Sequence, residues 1–370
     1  MSKRSYLVFP VIALALSLTA CGGGNPSPSF SSDPSIDPSA SSSASSSPTP
    51  TVEPTVLANL DSISVTGRIG EEPVVELNAP VTVEQTMTKV LIEGGANDMV
   101  VPEGGYVTIY YYGVDGTTGE VFDETWYDAT ATEDTTDSAS PEASESASPT
   151  PTETVQKDVY PFSFGLSEVI PGFAAGLVGQ KVNSRVLVGI SPADAYGESG
   201  TSDGLIGPNT ALFFVIDILE TSVAKPEGAA GTSTSPWAAK VKVTENDKGV
   251  PSVDIPDETP PTELTVIPVI QGTGNEVFEG DIIVDNYLAY SWKNRAVVDD
   301  WTTGDVADLD ATIDGLKQAI IGQKVGSRLL IIIPPDLAFP NGSNDPPVEA
   351  GDTVVFVVDI LFTSAYLSAE

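Results

Sequence analysis

The chain has no histidine and a single cysteine in 370 residues, and only 16 lysines and arginines stand against 52 aspartates and glutamates. Without histidine there is no His-dependent triad, no His-ligated zinc, no HExxH helix and no imidazole base. One cysteine rules out an internal disulfide or a thiolate cluster. A formal net charge of -36, with no basic cluster beyond Lys3-Arg4, argues against nucleic acid, whose phosphates a binder must neutralise. Beyond the amino terminus there is no run of 18 apolar residues, the length a spanning helix needs. These absences leave carboxylate, serine or lysine chemistry, or catalysis by shape and desolvation with no covalent step.

What is present is unevenly distributed. Residues 1–20 read as a signal peptide: Lys3-Arg4, an apolar stretch from Tyr6 to Leu18 interrupted by Pro10, and the ending Leu18-Thr19-Ala20 before Cys21. That ending resembles the lipobox of bacterial lipoproteins, which implies cleavage before Cys21, lipidation of its sulfur and anchoring to the extracytoplasmic face of the cell membrane. Residues 21–56 are mostly Ser, Pro and Gly and cannot bury enough to offset their ordering, so they read as a disordered tether. Its root-mean-square reach is about 30–35 Å. A similar acidic stretch, 128–157, lies between strand-like runs and reads as a disordered insertion and solvated spacer, and 222–236 reads as a linker.

The strongest organisational signal is self-similarity. GLVGQKVNSRVLVGISPADAYG (176–197) returns as AIIGQKVGSRLLIIIPPDLAFP (319–340), LFFVIDIL (212–219) as VVFVVDIL (354–361), VPEGGYVTIYYYG (101–113) as VFEGDIIVDNYLA (277–289), and EEPVVEL (71–77) as KGVPSVDI (248–255). The offset between copies is 176 to 178 before the acidic stretch and 142 to 143 after it, as an insert of about 30 residues in the first copy alone would produce. Two domains follow, 57–221 and 237–370. Runs such as 107–112, 185–190 and 212–219 are β-branched and aromatic, Asp115 to Gly119 supplies a hairpin turn, and the one helix candidate is Pro171 to Val178, stopped by Gly179. The expected fold class is α+β, an antiparallel sheet wrapped on one short helix in each copy.

Across residues 101–219 a series of short motifs occurs in one order: Ile109-Tyr110-Tyr111-Tyr112-Gly113, Gly119-Glu120-Val121-Phe122-Asp123, Phe162-Ser163-Phe164, Glu168-Val169-Ile170-Pro171-Gly172-Phe173, Gly179-Gln180-Lys181-Val182, Ala195-Tyr196-Gly197, Leu205-Ile206-Gly207-Pro208, and Leu212 to Leu219. Together they resemble the FKBP-type peptidyl-prolyl isomerases, in the form of bacterial lipoproteins with tandem FKBP-like domains. The resemblance implies a prolyl pocket made of Tyr111, Phe122, Asp123, Phe162, Val169, Ile170, Phe173, Tyr196, Ile206 and Phe214. It also implies that the Tyr196 hydroxyl and the Ile170 backbone N–H hold substrate carbonyls. Any single Phe or Tyr of the set could equally belong to an ordinary core, and Asp123 to a turn. Phe173 stands where the family often has Trp, which implies a smaller pocket floor. Such a reaction needs no nucleophile or proton relay, which suits a chain without histidine.

The second copy departs from the pattern. Tyr287, Asp299, Ile313 and Phe356 match Tyr111, Asp123, Ile170 and Phe214, but Val298, Leu316 and Phe339 replace Phe122, Phe173 and Tyr196, and Asp305 and Ala307 fall near Phe162 and Phe164. Residues 205–208 have become Asp345-Pro346-Pro347-Val348. The second domain is therefore expected to be a weak or inactive isomerase, kept for packing, spacing or polypeptide binding. The acidic run Asp299, Asp300, Asp305, Asp308, Asp310 and Asp314 lacks the glycine and closing Glu of a calcium loop and reads as a solvated face. Gly272-Thr273-Gly274 lacks the third glycine of a dinucleotide site and reads as a turn. Expected partners are proline-containing polypeptides of the secreted or envelope pool, the membrane through the lipid anchor and, by resemblance, macrolide ligands. No cofactor, metal or nucleic acid is expected, and the expected state is a monomer. The rival reading is a non-enzymatic chaperone or peptide-binding scaffold on the cell surface.

Overall fold

In the computed structural model, which describes residues 53–127 and 158–365, the β-branched runs form two antiparallel six-stranded sheets, each with a short helix. The signal sequence with Cys21, the tether up to residue 52 and the acidic stretch 128–157 lie outside the described residues. The first sheet is built from β1 (Met87–Ile92), β2 (Tyr106–Asp115), β3 (Val121–Glu124), β4 (Phe162–Gly165), β5 (Ser184–Ile190) and β6 (Leu212–Thr221), with α1 (Pro171–Leu177) between β4 and β5. Its order is β4-β2-β6-β5-β1, and β3 pairs with β2 as well.

Alternation along β2 decides which side chains meet the helix. Val107, Ile109 and Tyr111 join the core beneath α1, whereas Tyr112 and Val114 join the core on the opposite face. Pro171 opens α1, where a missing N–H costs nothing, and Gly179 follows it at a φ of 83°. Gly172 and Gly176 turn toward β5, and a Cβ on them would stand 2.2 Å from Ile190 and 2.4 Å from Val188. The helix reaches the sheet this closely because those two positions carry no side chain.

The second sheet comprises β7 (Ala229–Ala230), β8 (Thr265–Gln271), β9 (Ile282–Ser291), β10 (Ala296–Asp308), β11 (Arg328–Ile333) and β12 (Val354–Ser364), with α2 (Asp314–Ile320) between β10 and β11. Its order, β7-β8-β11-β12-β9-β10, repeats that of the counterpart strands in the first sheet. The edge differs. β10 is one continuous strand of 13 residues, whereas in the first sheet the same edge of β2 is covered by two pieces, β3 and β4, separated by the acidic stretch. Register fixes the equivalences: Phe162 and Phe164 lie opposite Ile109 and Val107, and Asp305 and Ala307 lie opposite Asp285 and Ile283.

The far face of each sheet is covered by a small hairpin, Ser64–Thr66 with Val74–Glu76 in the first copy and Lys242–Glu245 with Pro251–Asp254 in the second. A buried ion pair ties each one down. Arg185 grips Asp217 through Nε and Nη2 at 2.6 and 2.7 Å, donates from Nη2 to the Glu71 carbonyl at 2.7 Å, and Asp217 accepts from the Gly70 N–H at 2.7 Å. Arg328 and Asp359 repeat the arrangement at 2.5 and 2.7 Å, with Glu245 as an additional acceptor at 2.6 Å.

Three expectations need adjustment. The tether does not run to residue 56, because Thr55–Val56 pair in parallel with Val81–Thr82. Residues 222–236 are not a plain spacer: the Val223 N–H donates to the Leu361 carbonyl at 2.9 Å, and Ala229–Ala230 form β7 on the edge of the second sheet. Backbone groups laid against protein need such partners, and an edge strand offers them. The second copy also has a helical turn, Trp237–Lys240, whose Trp237 ring meets Trp292 edge-on at 5.3 Å. Further contacts join the copies: Ser163 Oγ lies 2.9 Å from Ser364 Oγ, the rings of Tyr106 and Phe362 stack at 6.1 Å, and Met99 packs against both cores.

Candidate functional site: an aromatic slot in the first copy

Where β2, β6 and α1 meet, aromatic rings converge. Tyr111 from β2 makes edge contacts with Phe162 (6.2 Å), Phe173 (6.4 Å) and Phe214 (6.2 Å). Phe173, on α1, meets Phe214 of β6 at 4.9 Å, and Phe122 of β3 meets Phe214 at 5.5 Å. Ring separations and steep interplanar angles of this kind are the favourable edge-to-face geometry. Ile206 is buried in the same core, and Val169 and Ile170 pack against it from the loop leading into α1. Phe162 and Tyr196 are the open side, 47% and 42% exposed. Thus the ten residues singled out in the sequence gather around one face of the sheet, eight within or against one core or at its ring contacts and the two polar members, Asp123 and Tyr196, at the mouth.

The polar groups at the mouth are coupled. The Tyr111 hydroxyl donates to Asp123 Oδ2 at 2.7 Å. Loss of water is the main cause that raises the Tyr111 phenol far above its ordinary value, with the Asp123 charge and hydrogen bond adding to it. Asp123 reaches solvent at one edge, yet enough protein surrounds its carboxyl that burial raises it above the usual carboxylate value, against the lowering effect of the Tyr111 hydroxyl and the Glu124 backbone. Tyr196 is raised by burial first and by the charges of Asp123 and Asp203 second. Among the described residues the Ile170 N–H and the Tyr196 hydroxyl meet no protein acceptor, so both are free to donate to a ligand. The turn before Tyr196 is pinned from below, where the hydroxyls of Thr86 and Ser191 donate to Asp194 at 2.6 and 2.9 Å. Those hydroxyls hold the Asp194 carboxyl below its usual range.

Two residues outside the expected set shape the slot. Phe164 is buried between Phe162, at 5.1 Å and tilted, and Phe173, at 5.8 Å and edge-on. The signal was available, since Phe164 lies two residues beyond Phe162 on a strand and must share its face. The second is Gly113, opposite both Asp123 and Phe214 in the sheet. A Cβ there would stand 2.8 Å from the Phe214 ring and 2.9 Å from the Phe122 ring. The second copy has Ala289 at this place, across from Asp299, and its hairpin residue is Val298, so the room is not needed. Gly113→Ala is accordingly expected to destabilise the chain by about 1–3 kcal/mol through overpacking and to weaken the near-ultraviolet dichroism of the rings. Unchanged denaturation midpoint and spectrum would show that the two rings can part freely.

The second copy keeps fewer of these walls. Tyr287 and Phe356 stand 6.5 Å apart, and Val298, Ile313, Leu316 and Phe339 pack against its core as partly buried side chains. Tyr287 lies near Asp299, and burial raises both groups above their ordinary values.

Comparison with known proteins points to one family. The profile of the family described as FKBP-type peptidyl-prolyl cis-trans isomerase matches residues 147–219 and 275–361. A probable FK506-binding protein of Corynebacterium glutamicum is 30% identical over 115 residues, which is 30% of this chain and 96% of that protein. An FK506-binding protein of Streptomyces anulatus is 28% identical over 117 residues, 30% of this chain and 94% of that protein. Among solved structures, the three FKBP domains of a wheat protein align with 75% of this chain and 94% of theirs at 16% identity and a TM-score of 0.31.

Proposed function

This chain belongs to the FKBP-type peptidyl-prolyl cis-trans isomerases, and from that premise we propose that the first of two tandem FKBP-like domains, residues 57–221, carries the reaction in its aromatic slot. The observation that supports the reading most is the convergence of Tyr111, Phe173 and Phe214 behind a Tyr111–Asp123 hydrogen bond, with two unpaired donors at the rim. An X-Pro bond is held planar by amide resonance with a barrier of about 18–20 kcal/mol. Half-way through rotation that resonance is lost, the nitrogen pyramidalises and the carbonyl becomes less polar. A water-poor aromatic wall therefore disfavours the planar amide more than the twisted one, which is differential binding of the transition state. An acceleration of ~10⁴ requires about 5–6 kcal/mol. The slot can supply this without a covalent step, by excluding water and by holding flanking carbonyls with the Tyr196 hydroxyl and the Ile170 N–H. Asp123, fixed by Tyr111, forms the polar edge of the slot's mouth.

The second domain, residues 237–370, is proposed to be a weak isomerase or none, because Val298, Leu316 and Phe339 leave its slot without most of the ring walls and without the rim hydroxyl. Clients are secreted or envelope polypeptides, met at the extracytoplasmic face of the membrane by a chain anchored through lipidated Cys21. The first slot is proposed to accept macrolides as well, and the chain to act as a monomer. A protease-coupled assay on a Xaa-Pro peptide tests the reading with the full chain. Asp123→Leu is expected to reduce kcat/KM at least tenfold, and Tyr196→Phe by the few-fold that one hydrogen bond is worth, about 1 kcal/mol. If the unmodified chain gives no rate above background, the chain is a binding scaffold built on the same fold.

A further inference from the structure

The second copy has carboxyls where the first has hydrocarbon, one in the core beneath its helix and one at the edge of its slot. By register, Asp285 on β9 stands in the place of Ile109 on β2, and Asp305 on β10 in the place of Phe162. Ile109 is wholly buried in the core under α1. Asp285 is buried as well, 5% exposed, and no hydrogen-bond partner reaches its Oδ1. Its neighbours two positions away, Ile283 and Tyr287, both belong to the core beneath α2, so alternation turns Asp285 to that same face, on which the slot lies. Asp305 lies directly across from it, and residues directly opposite share a face. Two carboxylates so placed repel each other, and a buried one without a partner is costly. Burial, with Asp305 and Asp359 nearby, accordingly raises Asp285 well above the carboxylate range.

The rest of the slot points the same way. Asp299 is raised by burial and by the charges of Asp345, Asp300 and Asp305. Within the acidic run expected as a solvated face, Asp299 and Asp305 are half-buried, whereas Asp300, Asp310 and Asp314 are exposed. Beside the carboxyls stand the rings of Tyr287 and Phe356. Among the described residues no three carboxylates gather closely enough to hold a metal ion. Acidic ends combined with aromatic and aliphatic sides suit an apolar stem with a cationic head.

We propose that the degenerate slot of the second copy binds the cationic side chain, lysine or arginine, of an extended polypeptide, with Asp305 meeting the charge at the rim, Asp285 taking it inside, and Tyr287 and Phe356 flanking the stem. This site does not depend on whether the first copy isomerises. The first copy offers no such partner, because Ile109 and Phe162 stand there instead.

The test uses the full chain and a fluorescein-labelled, proline-free Gly/Ser decapeptide carrying two lysines, read by anisotropy at physiological salt. Leaving out proline keeps the first slot from being read. The same peptide with glutamine at both places is expected to bind about tenfold more weakly or worse. Asp285→Asn and Asp305→Asn should each cost about tenfold, the scale of a hydrogen bond to a charged group. Asp247→Asn and Glu263→Gln, which remove exposed charges elsewhere in the second copy, should change affinity less than twofold. Asp285→Ile, which restores the residue of the first copy, should abolish binding while raising the thermal midpoint, so loss of binding cannot be put down to unfolding. Equal losses from all four charge-removing variants would reduce the effect to diffuse attraction by an acidic chain and overturn the proposal. Unchanged affinity in Asp285→Asn would do the same, as would a saturable heat with calcium chloride alone that this variant removes.

Discussion

Replacing Phe173 with leucine is expected to lower kcat/KM on a Xaa-Pro peptide by about tenfold to a hundredfold while the chain stays folded. Leucine is what the second copy has at this place, at Leu316, so the fold accepts it. Three ring contacts would go, to Phe214 at 4.9 Å, Phe164 at 5.8 Å and Tyr111 at 6.4 Å. Aromatic pairs contribute about 0.5–1.5 kcal/mol each beyond their buried area, and water would enter on the vacated side. A loss of about 1.4–2.8 kcal/mol in transition-state binding corresponds to one or two decades in rate. The stability cost should stay below the ~3–5 kcal/mol of a Phe→Ala change, since most of the apolar volume is retained. Urea melts and the coupled assay separate the two effects. Rate and melting curve both unchanged would mean that the Phe173 ring is not a wall of the reactive cleft.

The largest effect on stability is expected from Asp217→Ala. Arg185 and Asp217 are 1% and 0% exposed and bond at two points, so the variant leaves a guanidinium buried with no counter-charge. Breaking such a pair from one side costs about 3–5 kcal/mol. The Gly70 N–H would lose its acceptor as well, loosening the hairpin that covers the far face of the sheet. The paired change Arg185→Met with Asp217→Leu removes both charges and should cost much less, because no uncompensated ion remains. Asp359→Ala is expected to be the milder of the two single changes, since Arg328 keeps Glu245 at 2.6 Å. Chemical denaturation of the three variants gives the ranking, and equal losses from Asp217→Ala and Asp359→Ala would show that Glu245 provides no compensation.

Much of the fold was legible because its determinants are local. Pro171 and Gly179 bracket α1 in the chain itself, and the alternating runs from Val107 and from Leu212 carry their sidedness with them. The slip in the repeat offset was enough to bring Asp305 to the place of Phe162, which the strand register reproduces. What stayed hidden depends on partners far along the sequence. The small cover hairpins have few apolar residues of their own and are held by Arg185 and Arg328, more than 70 residues away in each case. Ala229–Ala230 look like spacer until the exposed edge of β8 is there to receive them. Asp285 reads as one more solvated acid in a chain full of them, and only the strands on both of its sides reveal that it is inside. In the slot, motif spacing sufficed to gather Tyr111, Phe173 and Phe214, but the fit that demands Gly113 follows from ring positions that no spacing encodes.

The contacts between copies also bear on how the molecule comes apart. The last residues of β12 lean on the first copy through Leu361, Phe362 and Ser364, and Val223 closes the joint from the other side. A cut in the connecting segment would therefore bare a greasy ledge on each fragment instead of releasing two self-sufficient pieces, and those ledges would be the first places for separated fragments to stick to one another.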